Sequence, residues 1–286
     1  MFRVLNLAYA AYVKFVEDDG WPIASYISLS VLTSVFPFLI FVGAVAGFFG
    51  TPEIADKAAE LLFDAWPPNI AGPISAEIHR VLTEPRGGLL TIGALLSLFF
   101  STSAVEALRV GLNRAYALTD LRPWWLLRLE STLFVLMAAL ALLAFTFLML
   151  VAPLIWAHLQ AAAPETARRL AISYTPVRYG VSSAVILLVL LVAHRYLPAR
   201  TLSLSMIAPG ILVTMAAWLG FGAAFGAYLL GFAQNYVSTY AGLASIMIAI
   251  VFLNALAAML LLGGALNHVI AQAGSEKESR GPARHA

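Results

Sequence analysis

Apolar residues fall into six long runs, at about 22–49, 89–110, 131–156, 177–197, 209–232 and 243–270, with polar or charged segments between them. A helix needs about 20 predominantly apolar residues to cross a bilayer, and all six runs meet that length. A transmembrane barrel would instead show short segments of alternating character. The pattern therefore predicts an all-α polytopic membrane protein with six transmembrane helices. They form a single domain over 1–272, and residues 273–286 (AGSEKESRGPARHA) make a flexible, solvated tail.

Two segments have a different pattern. In residues 1–19, Val4, Leu5, Ala8 and Tyr12 recur at helical spacing, while Arg3, Lys14 and the Glu17-Asp18-Asp19 cluster are charged. That predicts an amphipathic helix lying on the membrane, with Gly20-Trp21-Pro22 turning the chain into the first span. Residues 50–88 carry six carboxylates against three basic groups and contain two helical patterns closed by prolines. They read as an amphipathic helical hairpin on the outer face.

The second span stops being purely apolar. Residues 89–100 (LLTIGALLSLFF) extend only ~18 Å, so the helix must continue into STSAVEALRVGLNRAY to cross a core of ~30 Å. At ~100° per residue, Thr102, Glu106, Arg109 and Asn113 then share one face, with Glu106 and Arg109 at ion-pair spacing. Ionisable groups at this depth are costly unless they face protein or water, which makes the stripe a candidate polar path, with Asn254 of the sixth span in support. The alternative is a span with an ordinary solvated basic end, Asn254 making a plain interhelical hydrogen bond. In the first span Pro37 invites a kink. Gly43 with Gly47 and Gly222 with Gly226 are candidate close-packing pairs. His194 and Arg195 read as interfacial anchors, and the Gln234–Gly242 link as a short uncharged loop.

Composition narrows the function. The chain has 286 residues, of which 61% are hydrophobic and only 11% charged, where soluble domains run near 25% charged. Net charge is +2 with no basic tract, so nucleic acid is not an expected partner. Lys and Arg number 11 on the segments facing the N-terminal side and 6 on the others, which places both termini in the cytoplasm. Cysteine is absent, and the five histidines (His79, His158, His194, His268, His285) lie at no metal-ligand spacing with carboxylates. No nucleotide-binding loop or nucleophile elbow is present. The expectation is a protein without catalytic residues, cofactor or metal.

Several short motifs carry a resemblance: Ser34-Val35-Phe36-Pro37, the run SAVEALRVGLNRAY (103–116) followed by Arg122-Pro123-Trp124, RYLPAR (195–200), APG (208–210), NYVSTYAG (235–242) and GGALN ending at Asn267. In this order and spacing the chain resembles the YihY/BrkB family of bacterial inner-membrane proteins over roughly residues 10–270. It departs at Ser30, where the family pattern has Tyr, at Tyr240-Ala241-Gly242-Leu243-Ala244, and at Ala265, where the family has Glu. The resemblance implies a six-helix inner-membrane fold. The family has been associated with serum resistance and envelope lipid export, and was once labelled a tRNA-processing ribonuclease. The resulting expectation is a transporter-like protein that moves a lipid or amphipathic solute, with membrane lipids as partners. The alternative is a non-catalytic structural or assembly factor of the envelope, acting as a homo-oligomer or with envelope proteins.

Overall fold

The computed structural model describes residues 2–49, 87–140, 183–240 and 243–279, and all regular structure there is helical. The helices are α1 (Phe2–Glu17), α2 (Gly20–Phe49), α3 (Gly87–Ala115), α4 (124–140), α5 (Ser183–Tyr196), α6 (Leu204–Tyr240) and α7 (Leu243–Ser279). Four stretches are long and apolar enough to cross a membrane: Gly20–Val42, Gly93–Ala115, Leu204–Leu229 and Ile246–Ser275. The third and fourth expected spans are helical where they are described, in α4 and α5, and their other residues lie outside the described ones. The outer hairpin expected at 50–88 lies almost wholly outside them.

Element ends differ from the pattern in ways that local chemistry explains. The first turn falls at Asp18-Asp19, not at Gly20-Trp21-Pro22. Asp19 takes a left-handed φ of 58° and its carbonyl accepts the Ile23 N–H, so Asp19 starts α2 and Pro22 sits in the first turn, where no N–H is needed. Helix α4 begins at Trp124, directly after Pro123, so only 116–123 between α3 and α4 is not helical. Helix α6 begins at Leu204, where the Ser203 carbonyl takes the first N–H groups, and Pro209 therefore sits inside the helix. The uncharged link is helical to Tyr240, since it has no Gly or Pro before Gly242. Likewise α7 runs to Ser279, through half of the expected tail.

The chain divides into two compact units. One comprises Met1–Leu32, Glu106–Trp124 and Val185–Ala286, and the other Thr33–Val105 and Trp125–Ala184. In the first, Phe15 of α1, Ala24 and Ile27 of α2, Ala107 and Ala115 of α3, and Ala257, Ala258, Leu261 and Ala265 of α7 form the core. Small residues dominate it, as expected where burial gives little driving force between helices and close approach must supply the packing. Ala265 belongs to this core and is buried.

Helices α6 and α7 run antiparallel along one continuous seam. Gly210 lies against Gly263, Thr214 Oγ1 donates to the Met259 carbonyl (3.3 Å), and Trp218 Nε1 donates to the Leu256 carbonyl (3.0 Å). Beyond them Phe221 and Phe225 stack on Phe252, with centroids 5.8 and 5.3 Å apart. Gly222 and Gly226 are each one residue, ~100°, off this seam. Among the described residues nothing stands within 4 Å of a Cβ at either. Among the described residues, the glycines at which helices touch are Gly210 and Gly263. Side chains at Gly43 and Gly47 lie outside the described residues. Pro37 is inside a continuous α2, where Pro37 lacks the N–H that would bond Thr33.

In the second unit Phe41 and Val42 of α2 pack on Val135 and Ala139 of α4. Ser34 Oγ donates to the Phe100 carbonyl (3.3 Å). The Arg128 guanidinium lies 3.7 Å over the Phe99 ring and donates from Nη2 to the Phe99 carbonyl (2.8 Å). Its long stem thus covers apolar surface while its charge finds a ring face and a carbonyl.

Helix α3 ends in a Schellman turn: Leu118 N–H reaches the Asn113 carbonyl (2.8 Å) and Ala117 N–H the Arg114 carbonyl (3.0 Å). Ala117 holds the left-handed position, φ 51°, which costs a non-glycine residue ~1–2 kcal/mol. Ala117→Gly is therefore expected to stabilise the protein by about 0.5–1 kcal/mol once glycine's greater unfolded-state freedom is subtracted. Thermal unfolding in detergent checks this; an unchanged or lowered midpoint contradicts it.

Candidate functional site

The stripe on α3 is largely inward-facing. Thr102, Arg109 and Asn113 are buried and Glu106 is half-buried, on a helix long and apolar enough to span. Burial of Arg109 at 3% exposure within such a helix is the clearest departure from an apolar interior. Glu106 and Arg109 are both engaged in interactions. At the ends of the stripe the polar groups are committed locally. Thr102 Oγ1 donates to the Phe99 carbonyl (2.6 Å). Asn113 Oδ1 accepts the Ala199 N–H (2.7 Å) and its Nδ2 donates to Asp120 (3.2 Å), pinning the 197–202 segment to the end of α3. Asp120 is also gripped by Arg122 through both carboxylate oxygens (2.8 and 2.7 Å), which holds its carboxyl below its ordinary value. Asn254 donates to Ser25 Oγ on α2 (2.9 Å), so its amide makes an interhelical bond.

A second cluster escaped the sequence reading. Tyr116, one residue beyond α3, places its hydroxyl 2.7 Å from His194 Nδ1 on α5 and accepts from Asn267 Nδ2 on α7 (2.9 Å). Asn267 Nδ2 also donates to the Ile207 carbonyl (3.0 Å), and its Oδ1 accepts the Gly210 N–H (2.6 Å). Burial pushes the Tyr116 phenol up, against the smaller opposing effect of its bond from Asn267. His194 and Asn267 are fully buried, so His194 is not the interfacial anchor its place at a span end suggested. Arg195 lies 5.4 Å from the Tyr196 ring and donates from Nη1 to the Leu202 carbonyl (3.3 Å).

The local reason for this convergence is Pro209. A proline inside a helix removes one donor and disturbs the preceding turn. Asn267 lies across that turn and meets both the Ile207 carbonyl and the Gly210 N–H. It can do so only because Gly210 and Gly263 lack side chains: a Cβ at Gly210 would overlap the Gly263 carbonyl oxygen and the Asn267 amide. The signal was present in the sequence as the short motifs NRAY, RYLPAR, APG and GGALN. Taken singly they gave no reason to meet; folded, they form one site.

Comparison with known proteins covers all of these residues. A family model described as virulence factor BrkB matches residues 11–286. A protein of Bacillus subtilis (strain 168) named as ribonuclease-like, YfkH, is 26% identical over 263 residues, covering 91% of this chain and 93% of that protein. No solved structure matches. A family model that spans the membrane helices and every residue of the buried network leaves one conclusion: the chain belongs to the BrkB family.

Proposed function

We propose that this membrane protein is a non-enzymatic, transporter-like protein of the bacterial inner membrane that moves a lipid or amphipathic solute. Its six spans have both termini in the cytoplasm. The observation that carries the reading is Arg109, buried in a membrane-length helix one turn from Glu106. A guanidinium matches phosphate and carboxylate geometry, and a carboxylate beside it can hold the charge balance when no headgroup is bound. Headgroup-labelled anionic and zwitterionic lipids in proteoliposomes test this. Wild type is expected to move label, and Glu106→Gln and Arg109→Gln to lose at least tenfold in rate per folded protein, the loss of about one charged hydrogen bond. Equal rates in wild type, variants and empty vesicles would refute it.

Helix α1 fits the same reading as a surface element. Its Ala11 and Phe15 face is buried, while Leu5, Tyr9, Tyr12 and Val16 form an exposed apolar stripe at helical spacing. Amphipathic helices with such a stripe lie in the lipid–water interface. Because the chain has no cysteine, a single Tyr9→Cys label reports its depth directly. A nitroxide there is expected to be reached by oxygen more readily than by a water-soluble nickel chelate. The reverse order would place α1 in solvent.

A structural or assembly role is the second reading, favoured by Asn113 and Asn254, whose amides are both committed to holding segments together. The non-enzymatic reading stands against the relative named as ribonuclease-like. It rests on the lack of metal-ligand spacing among the histidines and the lack of a basic tract. Cleavage of RNA by the purified protein, abolished by no contaminant control, would overturn it.

A further inference from the structure

The buried network has a direction, and that direction fixes a proton. The Gly210 N–H can only donate, so the Asn267 atom facing it at 2.6 Å is the carbonyl oxygen. The Ile207 carbonyl can only accept, so the atom facing it at 3.0 Å is the amide nitrogen. Two backbone groups thus set the amide's orientation without reference to its side-chain neighbours. The second Asn267 N–H then goes to Tyr116 Oη at 2.9 Å. A phenol has one proton. Among the described residues its other partner is His194 Nδ1, at 2.7 Å, so the phenol proton points there and Nδ1 accepts it. If Nδ1 carried a proton instead, both neighbours would donate to the phenol oxygen, and the buried phenol proton would have no acceptor, at a cost of ~1–3 kcal/mol. A tyrosine held in its protonated form by burial keeps the chain intact.

We infer that Asn267, acting through Tyr116, locks His194 as a neutral imidazole with its proton on Nε2, and so presents a buried N–H donor for an acceptor oxygen. The Nε2 atom is buried and has no hydrogen-bond partner among the described residues. Because it carries the proton, it has no lone pair for a metal ion; what it fits is an oxygen, of water, a carbonyl or a phosphate. His194 is here a positioned donor, and Asn267 and Tyr116 are positioning residues. The lock is built from α3, α5, α6 and α7 together, so it forms only when all four helices are in place.

Nitrogen NMR on the full chain, labelled with 15N-histidine in bilayers, tests the assignment, with His194 identified by loss of its signal in His194→Gln. At neutral pH the account requires a bare Nδ1 and a protonated Nε2. Asn267→Asp replaces the donor at the head of the chain by an acceptor: the phenol then donates toward the new carboxylate, and the His194 proton is expected to move to Nδ1. Tyr116→Phe removes the constraint and is expected to give a mixture of both tautomers. A proton on Nδ1 in the wild type, alone or as imidazolium, would overturn the inference. So would an unchanged His194 spectrum in folded Asn267→Asp. If that variant does not fold, the wild-type and Tyr116→Phe spectra decide between the same two outcomes.

Discussion

Asn267→Ala is expected to destabilise the protein by about 3 kcal/mol, several times the effect of the same substitution at Asn254. Both residues are asparagines on α7, and both bond across to another helix. The difference lies in what each removal leaves behind. Asn254 meets one hydroxyl, Ser25 Oγ, which also reaches the Trp21 carbonyl, so its loss forfeits a single interhelical bond worth ~0.6 kcal/mol. Asn267 serves the Gly210 N–H, the Ile207 carbonyl and the Tyr116 hydroxyl, all at a fully buried side chain. Removing it takes a buried partner from all three groups at once, and buried bonds left unmade cost ~1–3 kcal/mol each. Thermal or chemical unfolding in detergent measures both variants. Equal losses at the two positions would contradict this account of the α6–α7 joint.

Gly210→Ala and Gly263→Ala are expected to have effects of similar size, about 3 kcal/mol, because neither side can yield locally. A Cβ at Gly210 overlaps backbone and the Asn267 amide, and one at Gly263 overlaps Thr214 Oγ1 and approaches the Gly210 carbonyl. Relief requires parting the helices, which lengthens the Thr214 and Trp218 bonds further along the seam. Gly222→Ala and Gly226→Ala make a matched control within α6. Nothing stands within 4 Å of either position among the described residues, and alanine is the better helix former, so neither is expected to lower stability. Loss of stability at Gly222 or Gly226 equal to that at Gly210 would point to a packing partner on that face.

The helical architecture was legible because membrane spans are written in length and apolarity, and both survive any detail of packing. The inward face of Thr102, Arg109 and Asn113 was legible for the same reason: helical periodicity puts residues on a face, and burial then follows. Periodicity could not say which small residues meet. A spacing of four in Gly222 and Gly226 is necessary for close approach but does not choose the side that faces α7. The seam is set instead by Gly210, Thr214, Trp218, Phe221 and Phe225, which share a face with no motif to mark it. Nor could it show that Tyr116, His194 and Asn267 meet, since they lie 78 and 151 residues apart along the chain for the two bonds Tyr116 makes. Their convergence depends on where three helix ends fall. Those ends depend on Ala117 adopting a left-handed conformation and on Pro209 being inside α6, not at its start.

These observations divide the buried polar residues into two groups. Asn267, Tyr116 and Asn113, together with the partly buried Asp120, hold segments in place through short bonds to backbone or to neighbouring side chains. Arg109 is buried at 3% exposure within a helix of membrane length, where a permanent charge is costly to keep. Stability and the proposed transport are therefore expected to depend on different residues. The most direct test measures lipid flux and thermal midpoint in parallel for Arg109→Gln and Tyr116→Phe. The account predicts that Arg109→Gln loses flux per folded protein, and that Tyr116→Phe lowers the midpoint while folded molecules retain flux. Retained flux in Arg109→Gln, or no lipid movement in the wild type, would contradict it.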